Sequence, residues 1–157
     1  MAIILFLLQM SCREETINQE RILIQNSTNK DLSVILFPKQ EYKDGDMYKF
    51  CSFGAGSRPK YFEISHQSKE EIFITDNLKL SPNELASQVF DSIYVIVNEQ
   101  NGPNILFTPD TVINYDHNLF YPDSQWSYSL SKFDLPTNFS STEVISHDYS
   151  FNISQND

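Results

Sequence analysis

The chain predicts a mostly β fold: an antiparallel β-sandwich, immunoglobulin-like or related, with one short connecting helix near 81–90. Three observations carry this. Short runs rich in Val, Ile, Tyr and Phe recur along the 157 residues, separated by connectors of Asn, Asp, Ser and Gly. Two late runs alternate large apolar residues with polar ones at period two, as a strand with one buried and one wet face does. Several such strands at short spacing indicate two packed sheets. One helix of about two to three turns is expected to interrupt the strands.

Arg21–Asn26 and Asp31–Phe37 flank Ser27-Thr28-Asn29-Lys30, a turn-rich connector, and together read as a hairpin. Asp44-Gly45, within Tyr42–Asp46, is a further tight-turn pair. Lys60–Ile64 and Glu70–Thr75 follow as short strands. The adjacent carboxylates Glu70 and Glu71 point to opposite faces, so they cannot share a substrate; they read as charges that keep an edge strand from pairing. Ser92–Asn98 is nearly all apolar and β-branched, as expected of a strand covered on both faces. Asn101-Gly102 then turns the chain into Asn104–Thr108. In Trp126–Ser131 the residues Trp126, Tyr128 and Leu130 share one parity, expected inward, and serines take the other. Ile145–Ile153 alternates in the same way, and Gln155–Asp157 is expected to fray.

The helix begins at Ser81-Pro82-Asn83-Glu84, a capping box with proline at the first helical position. Leu80 and Leu85 are spaced for the hydrophobic staple, and Leu85, Ala86, Val89 and Phe90 share one face. Phe107-Thr108-Pro109-Asp110 repeats the start signal, with Phe107 and Val112 as staple partners, and predicts a single helical turn before Asn114-Tyr115.

The length suits one domain with a real hydrophobic core. Lys and Arg number 11 against 21 Asp and Glu, a net charge of −10, with no basic stripe. Such a surface repels phosphate backbones, which excludes nucleic acid as a partner, and it is repelled by anionic lipid too.

The N-terminus supplies another route to a membrane. Ala2–Leu8 is wholly apolar, Ser11-Cys12 follows, and Arg13-Glu14-Glu15 is abruptly polar. An apolar block this short is the core of a secretory signal, not a membrane span. Ending on Ser-Cys, it resembles the lipobox of a bacterial lipoprotein. No Lys or Arg precedes Arg13, which leaves room for a start upstream of Met1, and Gln9 stands where leucine is usual. The resemblance implies a signal peptide over 1–11, a lipidated Cys12 with a polar tether over 12–20, and a single β-sandwich domain over 21–154. Arg13-Glu14-Glu15 resembles the tag of surface-exposed Bacteroidota lipoproteins, which implies an outer-membrane, outward-facing address. Asp91-Ser92-Ile93 and Asp110-Thr111-Val112 resemble the O-glycosylation signal of exported Bacteroidota proteins, with Ser92 and Thr111 as acceptors. The N-linked patterns at Asn26, Asn138 and Asn152 have no role behind a bacterial lipobox. If Cys12 is acylated, Cys51 lacks a partner and packs as a small apolar residue; otherwise a Cys12–Cys51 disulfide is the alternative.

No catalytic motif stands out. There is no G-x-S-x-G, and Phe53-Gly54-Ala55-Gly56-Ser57 reads as a loop in which Gly54 and Gly56 take positive φ. His66, His117 and His147 lack zinc-ligand spacing, so no metal and no cofactor are expected. His66 reads as part of an exposed turn and His117 as part of a polar loop. His147 has the apolar parity of its strand and is expected half-buried near a sheet end. Aromatic residues cluster late. Trp126 and Tyr128 follow the inward parity, while Tyr115, Phe120 and Tyr121 are expected in an exposed loop patch. With Trp126 these form the candidate binding surface, against the alternative that they fill the core or its lid. The expected class is therefore a lipid-anchored, non-catalytic envelope module binding a protein or a glycan. The alternatives are an inhibitor or immunity-type lipoprotein against a cationic partner, a hydrolase whose histidines and Asp116 or Asp148 converge only in space, and a purely structural spacer.

Overall fold

A computed structural model describes residues 16–43, 60–76, 80–98, 102–122, 124–136 and 141–154. Cys12, Cys51, the Asp44-Gly45 turn, Gly54, Gly56, Asn101, Asn138 and the last three residues lie outside the described residues. The elements in chain order are β1 (Thr16–Asn26), β2 (Leu32–Pro38), α1 (Gln40–Lys43), β3 (Lys60–Ile64), β4 (Lys69–Asp76), α2 (Pro82–Val89), β5 (Phe90–Val97), β6 (Asn104–Phe107), β7 (Val112–Ile113), β8 (Trp126–Pro136) and β9 (Ser141–Ile153). One sheet has the order β4-β1-β9-β8 and the other β3-β2-β5-β6-β7. The fold is the mostly β two-sheet sandwich that the strand patterns predict. One pairing departs from the antiparallel rule: β1 runs parallel to β9.

The two sheets bury a shared core. Ile22, Ile24, Phe73, Phe151 and Ile153 face Leu32, Val34, Leu36, Ile93, Val95, Ile105 and Phe107, and α2 adds Leu85, Ala86 and Val89. The capping box forms as expected: the Glu84 carboxylate accepts the Ser81 N–H at 2.9 Å and the Ser81 hydroxyl. These two donors hold the Glu84 carboxyl below its ordinary range. Leu85 is buried and Leu80 packs against the core, as the staple requires.

Four expectations need correction. First, Arg21–Asn26 and Asp31–Phe37 do not form a hairpin, because β1 and β2 belong to different sheets. The connector crosses the sandwich, and the side chain of Asn26 fixes the crossing. Its amide donates to Lys30 O at 2.7 Å and to Ile64 O and Ser65 O, each at 3.1 Å; its carbonyl accepts Thr28 N–H at 3.0 Å and Thr28 Oγ1 at 2.7 Å. The β3–β4 connector crosses beside it, with Asn26 N–H on Ser68 O at 2.8 Å and the Gln67 side chain on Thr28 O at 3.0 Å. A side-chain amide satisfying several orphan backbone groups competes well with a plain hairpin turn.

Second, Thr108–Thr111 is not helical. Thr108 N–H reaches Thr111 O at 2.9 Å and Thr111 N–H reaches Thr108 Oγ1 at 3.0 Å, closing the β6–β7 hairpin. Phe107 and Val112, the expected staple partners, become a cross-strand pair. Third, β5 alternates after all: Ile93, Val95 and Val97 are buried while Tyr94 and Ile96 are half-buried. Fourth, residues 16–20, expected in the tether, are already strand.

The longer sheet also overhangs its partner. β1, β8 and β9 have 11, 11 and 13 residues, whereas no strand of the opposing sheet exceeds 8. Trp126 still packs on the core, but Tyr128 and Leu130, of the same parity, are 55% and 51% exposed, as expected where β8 outruns the described strands of the short sheet.

Candidate binding site on the overhanging sheet

The register across β1, β9 and β8 lays out the overhang in rows. Ile24, Phe151 and Trp126 form one core row on the inward face. Ile22, Tyr149 and Tyr128 form the next, and Glu20, His147 and Leu130 the one beyond. The inward face thus changes from apolar to a carboxylate, an imidazole and two phenols without any change of side.

These groups touch. Tyr128 Oη and His147 Nδ1 are 3.0 Å apart, and the two rings lie 6.1 Å centre to centre. Tyr128 and Tyr149 are 5.4 Å apart at 41°. Glu20 is only 9% exposed, and its Oε2 has no hydrogen-bond partner among the described residues. Burial pushes the Glu20 carboxyl above its ordinary range, while the charge interaction with His147 and the Leu80 backbone N–H act the other way. Burial also raises the Tyr149 phenol, with Glu20 and Tyr128 adding to it.

The shift in Glu20 has a sign that can be tested. A raised carboxyl binds its proton more tightly in the fold, so stability falls as pH rises from the unfolded value through the folded one. Glu20→Gln removes that ionisation. The variant is expected to melt at or above the parent temperature at pH 7, and its advantage should shrink toward pH 4. Melting curves at both pH values check this; a variant that melts lower at pH 7 contradicts it.

The opposite face of the same strands carries a separate ion cluster. Arg21 Nε bonds Glu71 Oε2 at 2.7 Å, Arg21 Nη1 lies 3.6 Å from Asp148 Oδ1, and Ser146 Oγ donates to Asp148 at 2.6 Å. Glu71, on edge strand β4, is therefore an ion-pair partner as well as an edge charge. His147 and Asp148 are neighbours on β9 and face opposite sides of the sheet. The other histidines have their own contacts: His66 Nδ1 is 3.3 Å from Asp31 in an exposed turn, and His117 Nε2 is 3.0 Å from Gln125 Nε2. Among the described residues no three His, Cys, Asp or Glu side chains are grouped to hold a metal ion.

The loop patch of Tyr115, Phe120, Tyr121 and Trp126 is corrected by burial. Phe120 is 4% exposed. Tyr115 packs edge-on to Phe107 at 5.9 Å, accepts Ser154 N–H at 3.0 Å and donates to Asn152 O at 3.2 Å. Trp126 sits 5.4 Å from Phe151. Only Tyr121 is exposed, and its hydroxyl donates to Asp110 O at 2.7 Å. The loop folds down because buried Asn118 ties it to Thr108 O at 2.8 Å and caps Phe120 N–H at 3.2 Å. These aromatics are a lid on the core. Of the two O-glycosylation candidates, Thr111 is exposed in the β6–β7 turn, whereas Ser92 is half-buried within β5 opposite Phe37.

Sequence reasoning missed Glu20 by placing it in a tether, and Tyr128 by placing it in the core. One signal was present: Glu20 has the parity of Ile22 and Ile24, so a strand extended backwards would have turned it inward. No protein-family model, curated protein or solved structure matches the chain.

Proposed function

We propose that the protein is a lipid-anchored, non-catalytic binding module of a bacterial outer membrane, facing outward and engaging a protein partner. One observation carries the binding role. Of the eight large apolar side chains exposed among the described residues, four lie on β8: Tyr128, Leu130, Phe133 and Leu135. That concentrates exposed apolar surface on one edge strand, the kind of surface a partner covers. Tyr128 and Leu130 belong to the inward-parity face and Phe133 and Leu135 to the other, so both sides of the ribbon are available. The anchor rests on Ser11-Cys12 and the charged residues after it. A net charge of −10 speeds encounter with a cationic partner, as in inhibitor or immunity-type lipoproteins.

The test is a cross-linked pull-down from whole cells fed radiolabelled lipid, comparing the parent with Cys12→Ala and a Leu130→Ser/Phe133→Ser double variant. Cys12→Ala is expected to lose the label. The double variant is expected to keep the label and lose its cross-linked partner. Full labelling of Cys12→Ala removes the anchor, and undiminished cross-linking of the double variant removes the role of β8.

A further inference from the structure

We propose that the shelf formed by Glu20, His147, Tyr149 and Tyr128 is a seat for a basic side chain, an arginine, supplied by the partner. This deepens the function proposed above and rests on it.

Glu20 is 9% exposed, its Oε2 is buried without a hydrogen-bond partner among the described residues, and no Lys or Arg among them pairs with it. The His147 imidazole on the adjacent strand is the one cationic group that acts on it, and the described Arg and Lys side chains near it are engaged elsewhere: Arg21 faces the opposite side with Glu71 and Asp148, and Lys132 lies 3.8 Å from Glu143. A carboxylate removed from water without a counter-charge is costly, and a cation brought to it recovers that cost.

The neighbours of Glu20 favour the guanidinium in particular. Tyr149 is close enough to Glu20 to feel its charge, Tyr128 stands 5.4 Å from Tyr149, and aromatic rings attract cations, arginine more often than lysine. A guanidinium is planar and weakly hydrated, so it stacks on a ring while hydrogen-bonding a carboxylate. Tyr128 and Leu130 are more than half exposed, so the shelf can be approached from solvent across them. A neutral sugar would also stack on the tyrosines but would leave the buried carboxylate uncompensated.

The test uses the full chain in zwitterionic micelles, titrated with acetyl-Gly-Arg-Gly-amide and followed by amide NMR. The controls are the same peptide with citrulline, a neutral analogue of arginine, and maltotriose. The arginine peptide is expected to give saturable shifts centred on Glu20, His147 and Tyr149. Glu20→Gln should weaken it about tenfold and Tyr128→Ala severalfold. Equal binding of the citrulline peptide, preferential binding of maltotriose, or an unchanged affinity in Glu20→Gln overturns the arginine seat. If the arginine peptide gives no saturable shift while the β8 double variant still loses its partner in cells, the seat is refuted and the binding module stands. If the double variant keeps its partner as well, both fall.

Discussion

Phe151→Ala is expected to lower the stability of the fold by about 3–5 kcal/mol, the range for removing a large buried aromatic. The ring is fully buried and meets three others edge-on: Trp126 at 5.4 Å on the adjacent strand, Phe107 at 5.5 Å on the facing sheet and Tyr115 at 6.3 Å from the loop. It therefore joins both sheets and the lid, and each edge-to-face pair adds to the area term. The cavity left by alanine would border all three rings at once, so the lid should loosen together with the core. Denaturant unfolding followed by tryptophan emission reports both, because Trp126 lines the cavity. A loss below about 1 kcal/mol would mean that the aromatic cluster is not what locks the sheets together.

Asn26→Asp should be nearly as damaging, at about 3–5 kcal/mol, although it changes almost no volume. The side chain is wholly buried, and its amide faces three backbone carbonyls at 2.7 to 3.1 Å. Aspartate replaces the amide donors with an oxygen aimed at those carbonyls and leaves a charge with no counter-ion. Its carboxyl would be forced to hold a proton in the fold. Stability should then recover in part as pH falls toward and below that raised value, the reverse of ordinary acid unfolding. Unfolding curves at pH 7 and pH 4 would show it. A variant as stable as the parent at pH 7 would mean that the two crossings hold without the amide.

The contrast between these sites shows what the sequence could reveal. Strand positions in β2, β3, β5 and β9 follow from runs and alternation, since burying one face imposes period two. The α2 start is legible because its cap, its proline and its staple are all local. Strand partners are another matter. Nothing in Arg21–Asn26 says that its neighbours are β4 and β9, and a short polar connector reads as a hairpin unless the reach of Asn26 is known. The shelf was hidden for a related reason. Alternation assigns Tyr128 and Leu130 to the core face, but whether that face is covered depends on the length of strands in the other sheet. Glu20 looked like part of a solvated linker because its charge outweighed its parity.

The parallel pairing of β1 with β9 runs unbroken from Thr16 opposite Glu143 to Asn26 opposite Ile153. With an anchor at Cys12, only Arg13-Glu14-Glu15 separate the lipid from the start of that ladder. A pull between the anchor and the far end of β9 would then act on the two strands in opposite senses along their length. The ladder would be loaded in shear, every bond sharing the force, instead of opening one bond at a time from an end. If the proposed anchor holds the start of β1, the ladder would carry tension along its length, and under such a pull it should yield only when the whole ladder slips together.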